Sequence, residues 1–181
     1  MNSDPGTTSI SDPGETYSIP VAFEADEEDR RVVEELLGRS VRFPFRVAVR
    51  DEYDQIVVIE NYPFGVSFEP MPTWFWLVDP EINLEVSRLE AAGGVKIAEG
   101  IFSAELLDAV SNVYSSGRNS LLAHSGLEIP ARRVRDGVGG SRAGVKCLHA
   151  HSAFHLAGGW SPIGSWVSVE IGMNRRLRAV S

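Results

Sequence analysis

The chain has 181 residues, 43% of them apolar, and a formal net charge of −8. That composition suits one soluble domain with a true core and excludes a general nucleic-acid binder, because phosphate attraction needs a net positive face. The total conceals a split: residues 1–130 hold 9 basic and 23 acidic side chains, a balance of −14, whereas residues 131–181 hold 8 and 2, a balance of +6. A local basic site for a small anion therefore stays open.

Residues 1–22 are rich in Ser, Thr, Pro, Gly and acid. They predict a disordered acidic tail, because such a composition buries too little surface to offset chain entropy, and residues 23–181 then form the single domain. The tail lacks the basic start and apolar middle of a signal peptide, and no later apolar run approaches the roughly 20 residues of a bilayer span, so the expected location is the cytoplasm, away from any membrane. The lone Cys147 fits that compartment and excludes an internal disulfide.

In chain order, "EADEEDRRVVEELLGRS" spaces Val32, Val33, Leu36 and Leu37 along one helix face, with acids in the first turn and Gly38 near the end. "FRVAVRDEYDQIVVIENYPF" alternates apolar and polar residues about the turn-like "DEYD" and predicts a half-buried hairpin; "PTWFWLVDP" adds a short aromatic strand. After Asp79 the period becomes helical. "PEINLEVSRLEAAGG" offers Ile82, Leu84, Val86 and Leu89 as apolar positions, and "FSAELLDAVSNVYSSGRNSLL" has Ser103 as cap with Leu106, Leu107, Val110 and Val113 facing inward. Strands followed by helices predict an α+β fold, a small antiparallel sheet of about three strands covered by helices. "EIPARRVRDGVGGSRAG" reads as a basic, Gly-rich loop leading into a further helix.

That helix opens on "GVKCLHAHSAFHLAGG", which holds the only cysteine and three of the four histidines of the chain. At helical spacing Cys147, His151 and His155 form one stripe with His149 nearly opposite, but the outer members of the stripe lie about 12 Å apart along the axis, too far to share one ion. Three readings compete: a packed helix with hydrogen-bonded histidines, a metal site, and acid/base or nucleophilic chemistry. The loop before it sends Gly139, Gly140, Arg142 and Gly144 toward a helix N-terminus with Lys146 in the first turn, where free N–H groups and the macrodipole attract a phosphate or carboxylate. The spacing is not that of a Walker A loop.

"GRSVRFPFRVAVRD", "YPFG", "PTWFWLVDP" and above all "GVKCLHAHSAFHLAGGWSPIG" resemble the bacterial, mainly actinobacterial, domain-of-unknown-function 501 family over roughly residues 29–166. The resemblance implies no established activity. Family members carry a Cys-Pro pair where this chain has Tyr62, and Cys or His where it has Asp79; the family's second helix histidine falls at Phe154, beside His155. Asp79, Cys147 and His149 remain as candidate ligands, and the resemblance selects His149 over His151 and His155. With Tyr62 and Phe64 in place of potential ligands, no tightly held metal is expected, and no cofactor is identified.

The leading expectation is a small-anion-binding protein or enzyme. Cys147 is nucleophile or ligand, His149 general base or ligand, and Asp79 the third catalytic candidate, its competing role being a cap on the following helix. Arg135, Arg142, Gly144 and Lys146 hold a phosphorylated or carboxylated molecule. The alternative is a non-enzymatic interaction module that binds a protein partner through Trp74, Phe75 and Trp76, whose side chains reach both faces of a strand; the resemblance links it to cell division or polyphosphate metabolism through gene neighbourhood.

Overall fold

The computed structural model describes residues 24–65, 69–124, 137–141 and 143–180. The predicted tail, residues 1–22, lies outside the described residues.

Helix α1, Glu27–Leu37, starts where the side chain of Asp26 accepts the Asp29 N–H and stops at Gly38, whose left-handed φ of 64° is the conformation a residue without Cβ adopts most readily. Strands β1 (Phe45–Asp51) and β2 (Ile56–Asn61) form the predicted hairpin, and β3 (Phe75–Leu77) pairs antiparallel with β2. Helix α2, Pro80–Ala91, begins with Asp79 as N-cap and Pro80 in the first turn. Then come α3 (Gly94–Ile101), α4 (Ala104–His124), a buried 3₁₀ turn at Val138–Gly140, α5 (Leu148–Leu156) and α6 (Pro162–Glu170). Strand β4, Leu177–Ala179, closes the sheet in the order β3-β2-β1-β4.

The fold is α+β, as the segregation of strands and helices predicts. The sheet has four strands rather than three, and it is covered on both faces. Every residue of β2 is buried. On one side Val33 of α1 meets Phe45, Val47, Ile56 and Ile59; on the other, Val49, Val57, Val58, Phe75 and Leu77 join Ile82, Val86, Val110, Leu148, Phe154 and Ile163. An irregularity in the β1–β2 register between Val47 and Arg50 lets successive residues serve both cores. The expected half-buried hairpin is therefore a central, two-sided one. The aromatic strand is covered likewise, with Phe75 and Leu77 in one core and Trp76 against the other, which removes the free aromatic face that motivated an interaction module.

Leu84 and Val113, expected inside, are 51% and 46% exposed. The neighbouring turn positions Val86 and Tyr114 are fully buried in their stead. Where the basic C-terminal segment is described, two of its arginines meet acids from earlier in the chain. Arg175 binds both Asp51 and Asp79, Arg178 binds Asp54 beyond the end of β1, and β4 pairs antiparallel with β1. No helix among the described residues is long and apolar enough to cross a membrane.

Candidate functional site

The site is the junction between the end of α2 and the start of α5. Phe154 of α5 stacks on Phe75 of β3 with 5.9 Å between ring centroids, which fixes the helix over the sheet. Its first residue, Leu148, is fully buried against the α2–α3 turn. The approach there is close: a Cβ on Gly94 would lie 2.7 Å from the Leu89 carbonyl oxygen and 3.0 Å from Leu148 Cδ1. This contact delivers Glu90, one residue before the end of α2, to the N-terminus of α5.

Helix α5 starts later than the sequence suggests. Cys147 is its N-cap and makes no side-chain capping bond, so Lys146 precedes the helix instead of lying in its first turn. The orphan N–H of Leu148 donates to Glu90 Oε1 at 2.5 Å, and the Val145 N–H donates to Glu99 Oε1 at 3.1 Å. A Cβ at Gly144 (φ 67°) would sit 2.6 Å from the same Glu99 oxygen. The helix terminus attracts anions, as expected, but the protein fills it with two of its own carboxylates. That corrects the reading of Gly144 and the helix start as a cradle for an external phosphate.

Cys147 and His149 come together although they are on opposite sides of an ideal helix, because Cys147 is in extended backbone (φ −158°) outside it. Sγ lies 3.8 Å from His149 Nδ1, and Glu90 Oε1 lies 3.3 Å from the same nitrogen. On the other side of the ring, Nε2 is 3.3 Å from the Asn83 carbonyl oxygen and 3.1 Å from Ser87 Oγ. A carbonyl can only accept, so a hydrogen on Nε2 suits the Asn83 side of the ring, and Nδ1 faces the sulfur and the carboxylate. Burial acts to depress the His149 pKa; the sulfur of Cys147, the Glu90 carboxylate and the Asn83 carbonyl outweigh it and raise the pKa above its ordinary value.

Cys147 and His149 open onto a cleft of 510 Å³ between α2, β3 and α5. Its walls combine Leu37, Phe75, Trp76 and Leu77 with Asn83 and Ser87, and among the described residues the ionisable side chains lining it, apart from His149, are Arg39, Lys146 and Cys147. Arg39 stacks over Trp76 at 5.1 Å, and Lys146 donates to the Gly139 carbonyl at 2.8 Å. No carboxylate is among the described lining residues.

The other candidates are elsewhere. Asp79 does not join Cys147 and His149: one carboxylate oxygen accepts the Ile82 N–H at 2.9 Å and the other accepts from Arg175 at 2.6 Å. Capping and an ion pair account for it fully. Arg135 and Arg142 lie outside the described residues. His151 is buried, with Nδ1 3.1 Å from Ser161 Oγ, and burial lowers its pKa to about 4. His155, also lowered by burial, lies beside the tight α5–α6 contact at Gly164. Sequence reasoning missed Glu90, Asn83, Ser87 and Arg39. The first three are spaced i, i+4 and i+7 in "NLEVSRLE", a polar stripe on α2 that attention to the apolar stripe passed over.

Residues 47–169 match the family described as "Protein of unknown function (DUF501)". The chain belongs to that family. No curated protein and no solved structure matches it.

Proposed function

We propose that the protein binds and acts on a small molecule bearing a phosphate or carboxylate group in the α2–β3–α5 cleft. One observation carries this reading: among the described residues, Arg39 and Lys146 are the permanently charged side chains that line the cleft, and the Cys147–His149 pair faces the same space. Two cations without a competing carboxylate hold an anion by charge-assisted hydrogen bonds, and the apolar wall of Leu37, Trp76 and Leu77 suits a ligand with a hydrocarbon or planar portion. The anion site thus moves from the helix terminus to side chains on either rim of the cleft. The cytoplasm suits such a site, since its reductants keep a free thiol reduced.

The test is thermal unfolding of the full chain with inorganic phosphate, pyrophosphate and citrate. A ligand at a hundred times its dissociation constant adds about 2.7 kcal/mol, so at least one anion raises the melting temperature by several degrees, and the Arg39→Gln/Lys146→Gln double variant loses the rise. No shift with any of the three at millimolar concentration, or an equal shift in the double variant, refutes the reading.

A further inference from the structure

Three atoms face one another where Cys147 and His149 meet the end of α2: Cys147 Sγ, His149 Nδ1 and a Glu90 carboxylate oxygen all lie within 4.8 Å of one another. The sulfur and the carboxylate oxygen each offer a lone pair, and Nδ1 offers one in the tautomer whose hydrogen is on Nε2, toward Asn83. Such crowding is relieved by a proton on Nδ1 or by a cation among the three. A shared proton draws carboxylate and imidazolium to about 2.7–2.9 Å; Glu90 stands wider, at 3.3 Å, and the 3.8 Å between Cys147 Sγ and His149 Nδ1 suits a thiol hydrogen bond or an ion between them.

The spacing fits the other remedy. Zinc bonds of about 2.3 Å to sulfur and about 2.0–2.2 Å to nitrogen and oxygen, arranged tetrahedrally, separate neighbouring sulfur and nitrogen ligands by about 3.5 Å and nitrogen and oxygen by about 3.3 Å. The observed separations are 3.8 Å and 3.3 Å. Both supports that orient metal ligands are also present: the Asn83 carbonyl on the far side of the imidazole, and the Leu148 N–H on the Glu90 oxygen. A thiolate and a carboxylate together balance a divalent charge, and sulfur with imidazole favours zinc-like ions over magnesium or calcium.

We infer that Glu90, Cys147 and His149 hold one zinc-class divalent ion, with its fourth coordination position open to the cleft. This rests on the cleft as the ligand site and goes beyond it: Cys147 is a metal ligand, and the ion faces the space where Arg39 and Lys146 hold the anion. The site escapes the objection that removed the Cys147–His151–His155 stripe, because two ligands flank the helix start and the third comes from α2. The expectation of no metal weighed only positions suggested by family resemblance and did not include Glu90.

The test uses the full chain, stripped with chelator and then titrated with Zn²⁺ against a chromophoric competitor and, separately, with Co²⁺. One ion binds per chain, and the cobalt form shows a near-ultraviolet thiolate-to-metal band. Cys147→Ser abolishes that band, and Glu90→Gln, whose amide oxygen still accepts the Leu148 N–H, weakens zinc binding by roughly tenfold or more. His155→Ala changes neither. A folded chain, verified by circular dichroism, that binds no zinc at micromolar concentration, or a cobalt spectrum indifferent to Cys147→Ser, overturns the inference. Arg39→Gln/Lys146→Gln retains one zinc per chain. Loss of zinc binding with an intact anion shift removes the metal site alone, and zinc binding without any anion shift removes the cleft reading alone.

Discussion

Helix α2 carries a carboxylate near each end, and the two have opposite surroundings. Asp79, at the N-cap, is 3% exposed and both its oxygens have donors, the Ile82 amide and Arg175, which also holds the buried Asp51. Glu90, at the other end, is nearly a third exposed, and the oxygen that accepts the Leu148 N–H also faces His149 Nδ1 and a sulfur. The same functional group on one helix has donors for both oxygens at one end and, at the other, an oxygen that also meets a histidine nitrogen and a sulfur. Burial alone does not separate the roles.

The largest expected effect that sharpens this contrast is Arg175→Met. It leaves Asp51 and Asp79 buried without a counter-charge, and removing one partner of such a network costs about 3–5 kcal/mol, measured as a fall in unfolding free energy in urea. Zinc titration of the variant at a temperature where it is folded is unchanged; loss of binding shows that the two ends of α2 are coupled.

Acid separates the histidines of α5. His151 has a folded pKa of about 4 against an ordinary value of 6.5. Below pH 6.5 the unfolded chain takes up a proton that the folded chain refuses, so this contribution to stability is complete above pH 6.5 and is lost progressively as the pH falls to about 4, by about 3 kcal/mol. The Asp51 carboxyl, held below its ordinary range by the Gln55 and Tyr53 amides and Arg175 against the opposing effect of burial, adds to the loss at still lower pH. Urea unfolding across this range checks it: His151→Asn flattens the limb between pH 6.5 and 4 relative to the unaltered chain, and an unchanged slope refutes the assignment.

The smallest effects fall on the cleft. Glu90→Gln keeps the cap of α5 and loses only charge assistance, about 1 kcal/mol. Arg39→Gln loses its stacking on Trp76, about 0.5 kcal/mol. Calorimetric losses several times larger in either variant show that these residues hold the fold and not a ligand.

Local signals in the sequence were sufficient where the structure is locally determined. The acid-rich start of α1, the Asp79–Pro80 opening of α2 and the hairpin about residues 52–55 carry their reasons within a few residues. Strand β4 does not: "LRA" has no alternation to speak of, and it pairs with β1 while Arg175 and Arg178 find acids more than a hundred residues earlier. The basic character of the C-terminal segment was legible, but the described acids that receive it belong to the same chain. In the site, Cys147 and His149 were legible as a motif. Glu90 could have been singled out from its polar stripe, but its approach to Leu148 depends on the Gly94 turn, which only the packed α2–α3–α5 junction reveals.

The Arg175 clamp also sets an order of events during synthesis. Asp51 and Arg175 are 124 residues apart, so at 5–20 residues per second the ribosome needs roughly 6–25 s to deliver the arginine after the aspartate. Throughout that interval the carboxylates of Asp51 and Asp79 lack their cation and the edge of β1 lacks β4. The last described strand brings the arginine to both carboxylates and covers the edge of β1, so the clamp closes only after nearly all of the described chain has been made.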